Sequence, residues 1–330
     1  MHRTSKSITF MSIILLLTGA QSCSDNAHKA LSTFPEEGYI QVTGGRIWYK
    51  ITGADKPGIP LLVLHGGPGA PHDYLENLEK LTTYRPVIFY DQLGCGNSDR
   101  PDDTALWTIE RFIKELCQVR TFLNLEKMHI LGQSWGSMLA VEYILRKQPQ
   151  GIVSLILAGP FLSAPRWAAD QRTWISELPA ALQDTINKYE ALGDYDAPAY
   201  QEAMVAYYAK HVCLLDPYPA SMNRTMEKMG VDVYRYMAGA SEFTLNGTLQ
   251  SVDLTDKLHE IKCPVLFTCG EFDEATPATT AFYQSKLPGS EIHVFEGASH
   301  SHHLEKEEEF ISVTEDFMKR AEAGTFEKRF

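Results

Sequence analysis

Gly132-Gln133-Ser134-Trp135-Gly136 is the stretch of this chain with the plainest chemical meaning. It follows an apolar run ending at Leu131 and precedes a helical run from Met138 to Arg146. A serine on a sharp strand-to-helix turn stands clear of the backbone as a nucleophile, and small flanking residues let the chain turn that tightly. Serine is a weak nucleophile alone, so an orienting acid and a histidine base must follow in that order. The run Pro264 to Cys269 leads into Gly270-Glu271-Phe272-Asp273-Glu274, which makes Asp273 the expected acid. The run Glu291 to Phe295 leads into Glu296-Gly297-Ala298-Ser299-His300, which makes His300 the expected base. Glu271 is a rival acid nearer its strand end, and His302 and His303 are rival bases. Upstream, His65-Gly66-Gly67-Pro68-Gly69 is a turn whose backbone can approach a developing oxyanion; Gly67 and Trp135 are the expected N–H donors.

These residues need elements to bring them together. Eight short apolar runs fit the strands of one sheet: Tyr39 to Thr43, Arg46 to Ile51, Pro60 to Leu64, Pro86 to Tyr90, Lys127 to Leu131, Val153 to Ala158, Pro264 to Cys269 and Glu291 to Phe295. The first two, joined through Gly44 and Gly45, read as a hairpin, so the sheet starts antiparallel and becomes parallel. From Thr108 to Leu123 apolar residues recur at helical spacing behind a threonine that can cap, which describes a crossover helix. Each candidate catalytic residue then lies a few positions past its strand, at one edge of the sheet. Between Phe161 and Leu254 the strand rhythm stops and aromatics such as Trp167, Trp174, Tyr207, Tyr208 and Tyr234 abound. So long an interruption predicts an inserted helical cap whose aromatics mostly form its own core, with a few lining a pocket. The expected division is 32–160 and 255–325 for the α/β core and 161–254 for the cap.

The chain has 330 residues, with 42 acidic against 30 basic side chains and a net charge of -12. That balance lacks the basic stripe a phosphate backbone requires, so nucleic acid is not an expected partner. The acidic run Glu305 to Glu309 reads as a solvated helix face. No C-x-x-C pair is present, and the three histidines near residue 300 have no carboxylate and cysteine partners at ligand spacing, so neither a metal nor another cofactor is expected. Residues 1–23 differ from the rest: Arg3 and Lys6 precede an apolar run from Ile8 to Leu17, then Thr18, Gly19, Ala20, Gln21, Ser22 and Cys23. The run is too short to span a bilayer and reads as an export signal. The small residues before Cys23 resemble a bacterial lipoprotein signal, although Ala20 stands where that pattern usually has Leu. The resemblance implies a lipid-bearing Cys23 and a membrane-anchored protein facing the periplasm or the cell surface. Plain secretion is the alternative. The other five cysteines are expected as thiols.

Five stretches resemble the proline iminopeptidases of the α/β-hydrolase superfamily: HGGPG at 65–69, DQLGCGNS at 91–98, GQSWGS at 132–137, SEFTLNG at 241–247 and GEFDEATP at 270–277. The resemblance implies an α/β-hydrolase fold and removal of an N-terminal residue, typically proline, from short peptides with a free N-terminus, without a metal. A serine in place of an aspartate nucleophile argues against dehalogenase and epoxide-hydrolase chemistry. The family holds the substrate amine with two glutamates, and the matching positions are Glu242 and Glu274. Carboxylates suit that task because a protonated N-terminal proline offers a positive charge and two N–H donors. Leu93 replaces the Arg usual in DQRG, and Gln133 replaces the Gly usual before the nucleophile. An esterase or amino-acid amidase with the same triad is the nearest alternative reading; a non-catalytic binding protein is a more distant one.

Overall fold

The computed structural model describes residues 31–325, so the export signal and Cys23 lie outside the described residues. Eight strands form one sheet: β1 (Glu37–Val42), β2 (Gly45–Thr52), β3 (Leu61–Leu64), β4 (Val87–Tyr90), β5 (Met128–Gln133), β6 (Ile152–Ala158), β7 (Val265–Gly270) and β8 (Glu291–Phe295). Their spatial order is β1-β2-β4-β3-β5-β6-β7-β8. β1 pairs antiparallel with β2, and β2 with β4, whereas β3 to β8 pair in parallel. Gly45 opens β2 and pairs with Val42, so the hairpin turns on Thr43 and Gly44.

The central strands are apolar in nearly every position because both faces of the sheet are covered. Leu62, Leu64, Ile88, Ile130, Leu155 and Phe267 point into one core. Their neighbours Leu61, Val63, Phe89, Leu131, Ile156 and Leu266 point into the other. The first core is packed by α1 (Ile109–Phe122), α2 (Trp135–Lys147) and α8 (Pro277–Lys286). The second is packed by the 3₁₀ segment His72–Thr83 and by α10 (Glu307–Glu322), which follows the short α9 (His302–Glu305). Thr108 caps α1 by accepting from the Arg111 N–H at 3.2 Å, as its place before the apolar run predicts.

Between β6 and β7 run helices α3 (Ala164–Ser176), α4 (Ala180–Leu192), α5 (Pro198–His211), α6 (Ala220–Glu227) and α7 (Val231–Met237). Ile175, Ile186, Tyr200, Tyr207 and Phe243 make a core of their own there. This helical layer is bonded to the sheet domain at two places. On one side Thr225 accepts from the Tyr74 N–H, Lys228 pairs with Asp73 and the Gly230 N–H donates to the Gly69 carbonyl. On the other, α3 and α5 grip the loops after β7 and β8.

The run Glu305 to Glu309 is only partly a solvated face, because Glu305 accepts from the Ser299 N–H and hydroxyl and from the Leu214 N–H, Glu307 pairs with Lys80, and Glu309 with His293. The five described cysteines are free thiols.

Candidate active site

Ser134 sits where β5 breaks into α2, with φ 54° and ψ -120°. This is a sparsely populated conformation for a residue with a side chain, and such strain persists only where the surroundings impose it. Here they do. A Cβ on Gly132 would lie 2.3 Å from the Gly136 carbonyl oxygen, and one on Gly136 would lie 2.1 Å from the Leu64 carbonyl oxygen. Only glycine at both positions lets the turn close against β3. Ser134 itself is 7% exposed.

Past the ends of β7 and β8 lie Asp273 and His300, joined by a 2.7 Å bond between Asp273 Oδ1 and His300 Nδ1. Asp273 is fully buried and also accepts from the Ala275 N–H (2.8 Å) and the Gly270 N–H (3.1 Å). Burial alone would raise its pKa, but the charge of His300 and its hydrogen bond outweigh that and hold the carboxyl far below its usual range. Burial pulls His300 downward, and Asp273 more than compensates, so the imidazole's pKa lies above its ordinary value. The ring lies over Gly159, where a Cβ would come within 2.7 Å of Nδ1. Trp167 meets it edge-on at 5.7 Å.

The rivals have other tasks. Glu271 is exposed and accepts from the Gly297 N–H at 2.8 Å. His302 is fully buried and bonds Thr268 at 3.0 Å, while its Nδ1 lies 3.4 Å from Asp273 Oδ2. His303 is buried against the Tyr74 carbonyl at 3.2 Å, and burial pushes its pKa down to about 3.

The backbone N–H groups expected to meet an oxyanion belong to Gly67 and Trp135. Trp135 is the first residue of α2, where the N–H has no acceptor within the helix and the helix dipole favours negative charge. Gly67 has φ 105°, and a Cβ there would lie 2.5 Å from the Gly69 nitrogen, so a side chain is excluded. Its N–H shares a trans peptide plane with the Gly66 carbonyl and points the opposite way. That carbonyl is held by His65 Nδ1 (3.0 Å) and the Ala70 N–H (3.3 Å). His65 Nε2 accepts from the Gln92 N–H at 2.8 Å, which places its proton on Nδ1; burial lowers its pKa to about 4 and keeps it neutral.

Glu242 and Glu274 lie within electrostatic reach of the Asp273–His300 pair. Glu274 is fully buried, and neither carboxylate oxygen has a hydrogen-bond partner among the described residues. Burial, and then the charges of Glu242 and Asp273, push its pKa well above the ordinary carboxylate value. Glu242 is half-buried and accepts from the Tyr234 hydroxyl at 2.8 Å. Its pKa is also raised by burial, against the opposing pull of His300.

Several positioning residues escaped the sequence reading. One face of α3 carries Trp167, Gln171 and Trp174, which donate to the backbone carbonyls of Glu242 (2.7 Å), Glu274 (3.0 Å) and Asp273 (3.0 Å). Their spacing of four and three residues is the available signal, hidden among aromatics that serve the helical layer's own core. The DQLGCGNS stretch proves to be bracing. Gln92 accepts from Trp135 Nε1 at 2.9 Å, and Asp91 accepts from His72 and from the Asn97 N–H. Leu93 is buried in the core, and its N–H meets Glu115, which pairs with Arg111. One set of side chains among the described residues has metal-ligand spacing: His72, Asp73 and Glu76. Its carboxylates are bonded to Arg224 and Lys228, cations that would repel an ion.

Residues 59–307 match the family described as alpha/beta hydrolase fold. The chain is 46% identical to a proline iminopeptidase of Heyndrickxia coagulans over 86% of this chain and 98% of that protein. It is 37% identical to one of Saccharolobus solfataricus over 88% of this chain and 94% of that protein. Among solved structures, the proline iminopeptidase of Mycobacterium smegmatis superposes with a TM-score of 0.81 at 36% identity, covering 88% of this chain and 99% of that one. Motifs, sheet order and relatives agree, and the chain belongs to the proline iminopeptidase family of the α/β-hydrolase fold.

Proposed function

We propose that this chain is a serine aminopeptidase that releases an N-terminal residue, preferably proline, from short peptides. Ser134 is the nucleophile. Neutral His300, oriented by Asp273, takes the Ser134 proton as its oxygen attacks the first carbonyl; the N–H groups of Gly67 and Trp135 stabilise the oxyanion. His300 then passes the proton to the departing amine as the C–N bond breaks. Water, deprotonated by the same imidazole, hydrolyses the acyl-serine and frees the amino acid.

The observation that carries the aminopeptidase reading is Glu274: a fully buried carboxyl with both oxygens unpartnered. A group left so costs about 1–3 kcal/mol. A substrate ammonium between Glu274 and Glu242 would satisfy both, and it would fix the first residue's carbonyl beside Ser134. A generic esterase has no use for such a pair. The proline iminopeptidase names of the relatives support the same substrate class. The test compares prolyl, alanyl and leucyl anilides with N-acetylprolyl anilide. Fastest turnover of the free prolyl substrate, with the blocked one poor, fits the proposal; undiminished turnover of the blocked substrate points to an esterase or amidase.

The chain is further read as an exported lipoprotein anchored through Cys23. The support is the order of Arg3 and Lys6, the apolar run Ile8 to Leu17, and small residues before the cysteine.

A further inference from the structure

The oxyanion site is split between two turns from different parts of the chain, Gly66–Gly67 after β3 and Ser134–Trp135 after β5. Glycine turns are intrinsically pliable, so the separation of the two N–H donors must be set by something besides the turns. Their backbones lie side by side: a Cβ on Gly66 would sit 3.1 Å from the Ser134 Cβ, 2.9 Å from the Tyr74 hydroxyl and 2.6 Å from Gln133 Oε1. A hydrogen-bond chain crosses this gap. The Gly66 N–H donates to the Tyr74 hydroxyl at 2.8 Å, and that hydroxyl donates to Gln133 Oε1 at 2.6 Å. Burial raises the Tyr74 pKa, so the phenol keeps the proton that the second link requires. Tyr74 is itself fixed at both ends of its main chain, its N–H by Thr225 of α6 (2.9 Å) and its carbonyl by His303 (3.2 Å).

We infer that Gln133 and Tyr74 are positioning residues for catalysis: together they brace the Gly66–Gly67 turn against the nucleophile turn and set the gap between the two oxyanion donors. Gln133 is the residue that departs from the Gly usual before the nucleophile, and a glycine there could not accept from the Tyr74 hydroxyl. Both side chains are almost fully buried, and neither bonds to Glu242 or Glu274. The brace therefore acts on the developing charge and not on binding of the amine. It rests on the serine-hydrolase part of the proposed function and is independent of the aminopeptidase part.

The test uses Gln133→Met, which keeps the shape but removes the acceptor, and Tyr74→Phe, which removes both links. Each is measured on prolyl anilide and on p-nitrophenyl acetate, an ester without an amine. Removing a direct oxyanion donor costs about 100- to 1000-fold in kcat, so loosening one by a fraction of an ångström is expected to cost about tenfold. Both variants should lose that factor in kcat on both substrates with KM unchanged. The double variant should lose no more than Tyr74→Phe, since the two links form one chain. A melting temperature taken on the same samples separates this from unfolding. Folded variants with wild-type kcat, or losses confined to KM, overturn the inference. Failure of the aminopeptidase reading would instead appear in wild type, as free and blocked anilides turned over alike.

Discussion

At the scale of single residues, the feature to account for is a carboxyl buried without a partner. Glu274 has its folded pKa raised by burial, then by Glu242 and Asp273. The sign of its stability contribution follows directly. A carboxyl whose pKa is higher folded than unfolded is neutral and harmless below the ordinary value of about 4.3, and it progressively destabilises the fold as pH rises through the raised value. Glu274→Gln does not ionise, so its melting temperature should gain on wild type as pH is raised from 5 to 9, while KM for the free-amine substrate rises by about tenfold or more. Parallel melting curves across that range would show that Glu274 bears no such load. The proposed site thus trades stability for affinity at one residue. The unpaired state of Glu274 was not legible in the sequence, because only the fold reveals what surrounds a carboxyl; the motif supplied its position alone.

At the scale of elements, the loops after β3, β5, β7 and β8 meet at one edge because the strands are parallel and share a direction. Gly159, just beyond β6, completes the floor beneath the base. A Cβ there meets His300 Cε1 and Nδ1 at 2.7 Å on a backbone with φ 54°. Gly159→Ala should therefore displace the imidazole and lower kcat by about 100-fold, the cost of misplacing a reacting group by about 1 Å. A folded alanine variant with full kcat would remove Gly159 from the account. All eight strands were legible from apolar or β-branched runs, with ends shifted by at most two residues; the central ones, buried on both faces, left a continuous signal, while β1 and β8 are only partly buried. Thr108 as a cap was legible because a threonine stands just before apolar residues at helical spacing. The grip of α3 on the Asp273, Glu274 and Glu242 carbonyls was not, since Trp167, Gln171 and Trp174 bond to backbone over 70 residues away. Nor were the tasks of His302 and His303, which share a short stretch with His300 and differ from it in what the fold places beside them.

At the scale of the whole molecule, a helical layer sits over the sheet edge and is bonded to it on two sides. Thr225, Lys228 and Gly230 hold the flank near the oxyanion turn, and α3 with α5 hold the acid and base loops. Among the described residues no helix is long and apolar enough to cross a membrane. In the proposed reading the attachment is a lipid on Cys23, which lies outside the described residues. Growth with a fatty-acid analogue should label the wild-type protein and leave Cys23→Ala unlabelled but active; label surviving the substitution would remove the anchor from the account.

The central claim is that a serine-hydrolase triad is confined to free N-termini by two carboxylates, the buried Glu274 and the half-buried Glu242. Its most direct test is the ratio of kcat/KM for prolyl anilide to that for N-acetylprolyl anilide. Each hydrogen bond to a charged group contributes about 1.5–3 kcal/mol, so loss of the ammonium contacts predicts a ratio of at least about 100 in wild type, collapsing in the Glu242→Gln, Glu274→Gln double variant. A wild-type ratio near one would contradict the claim, even with Ser134, Asp273 and His300 fully active.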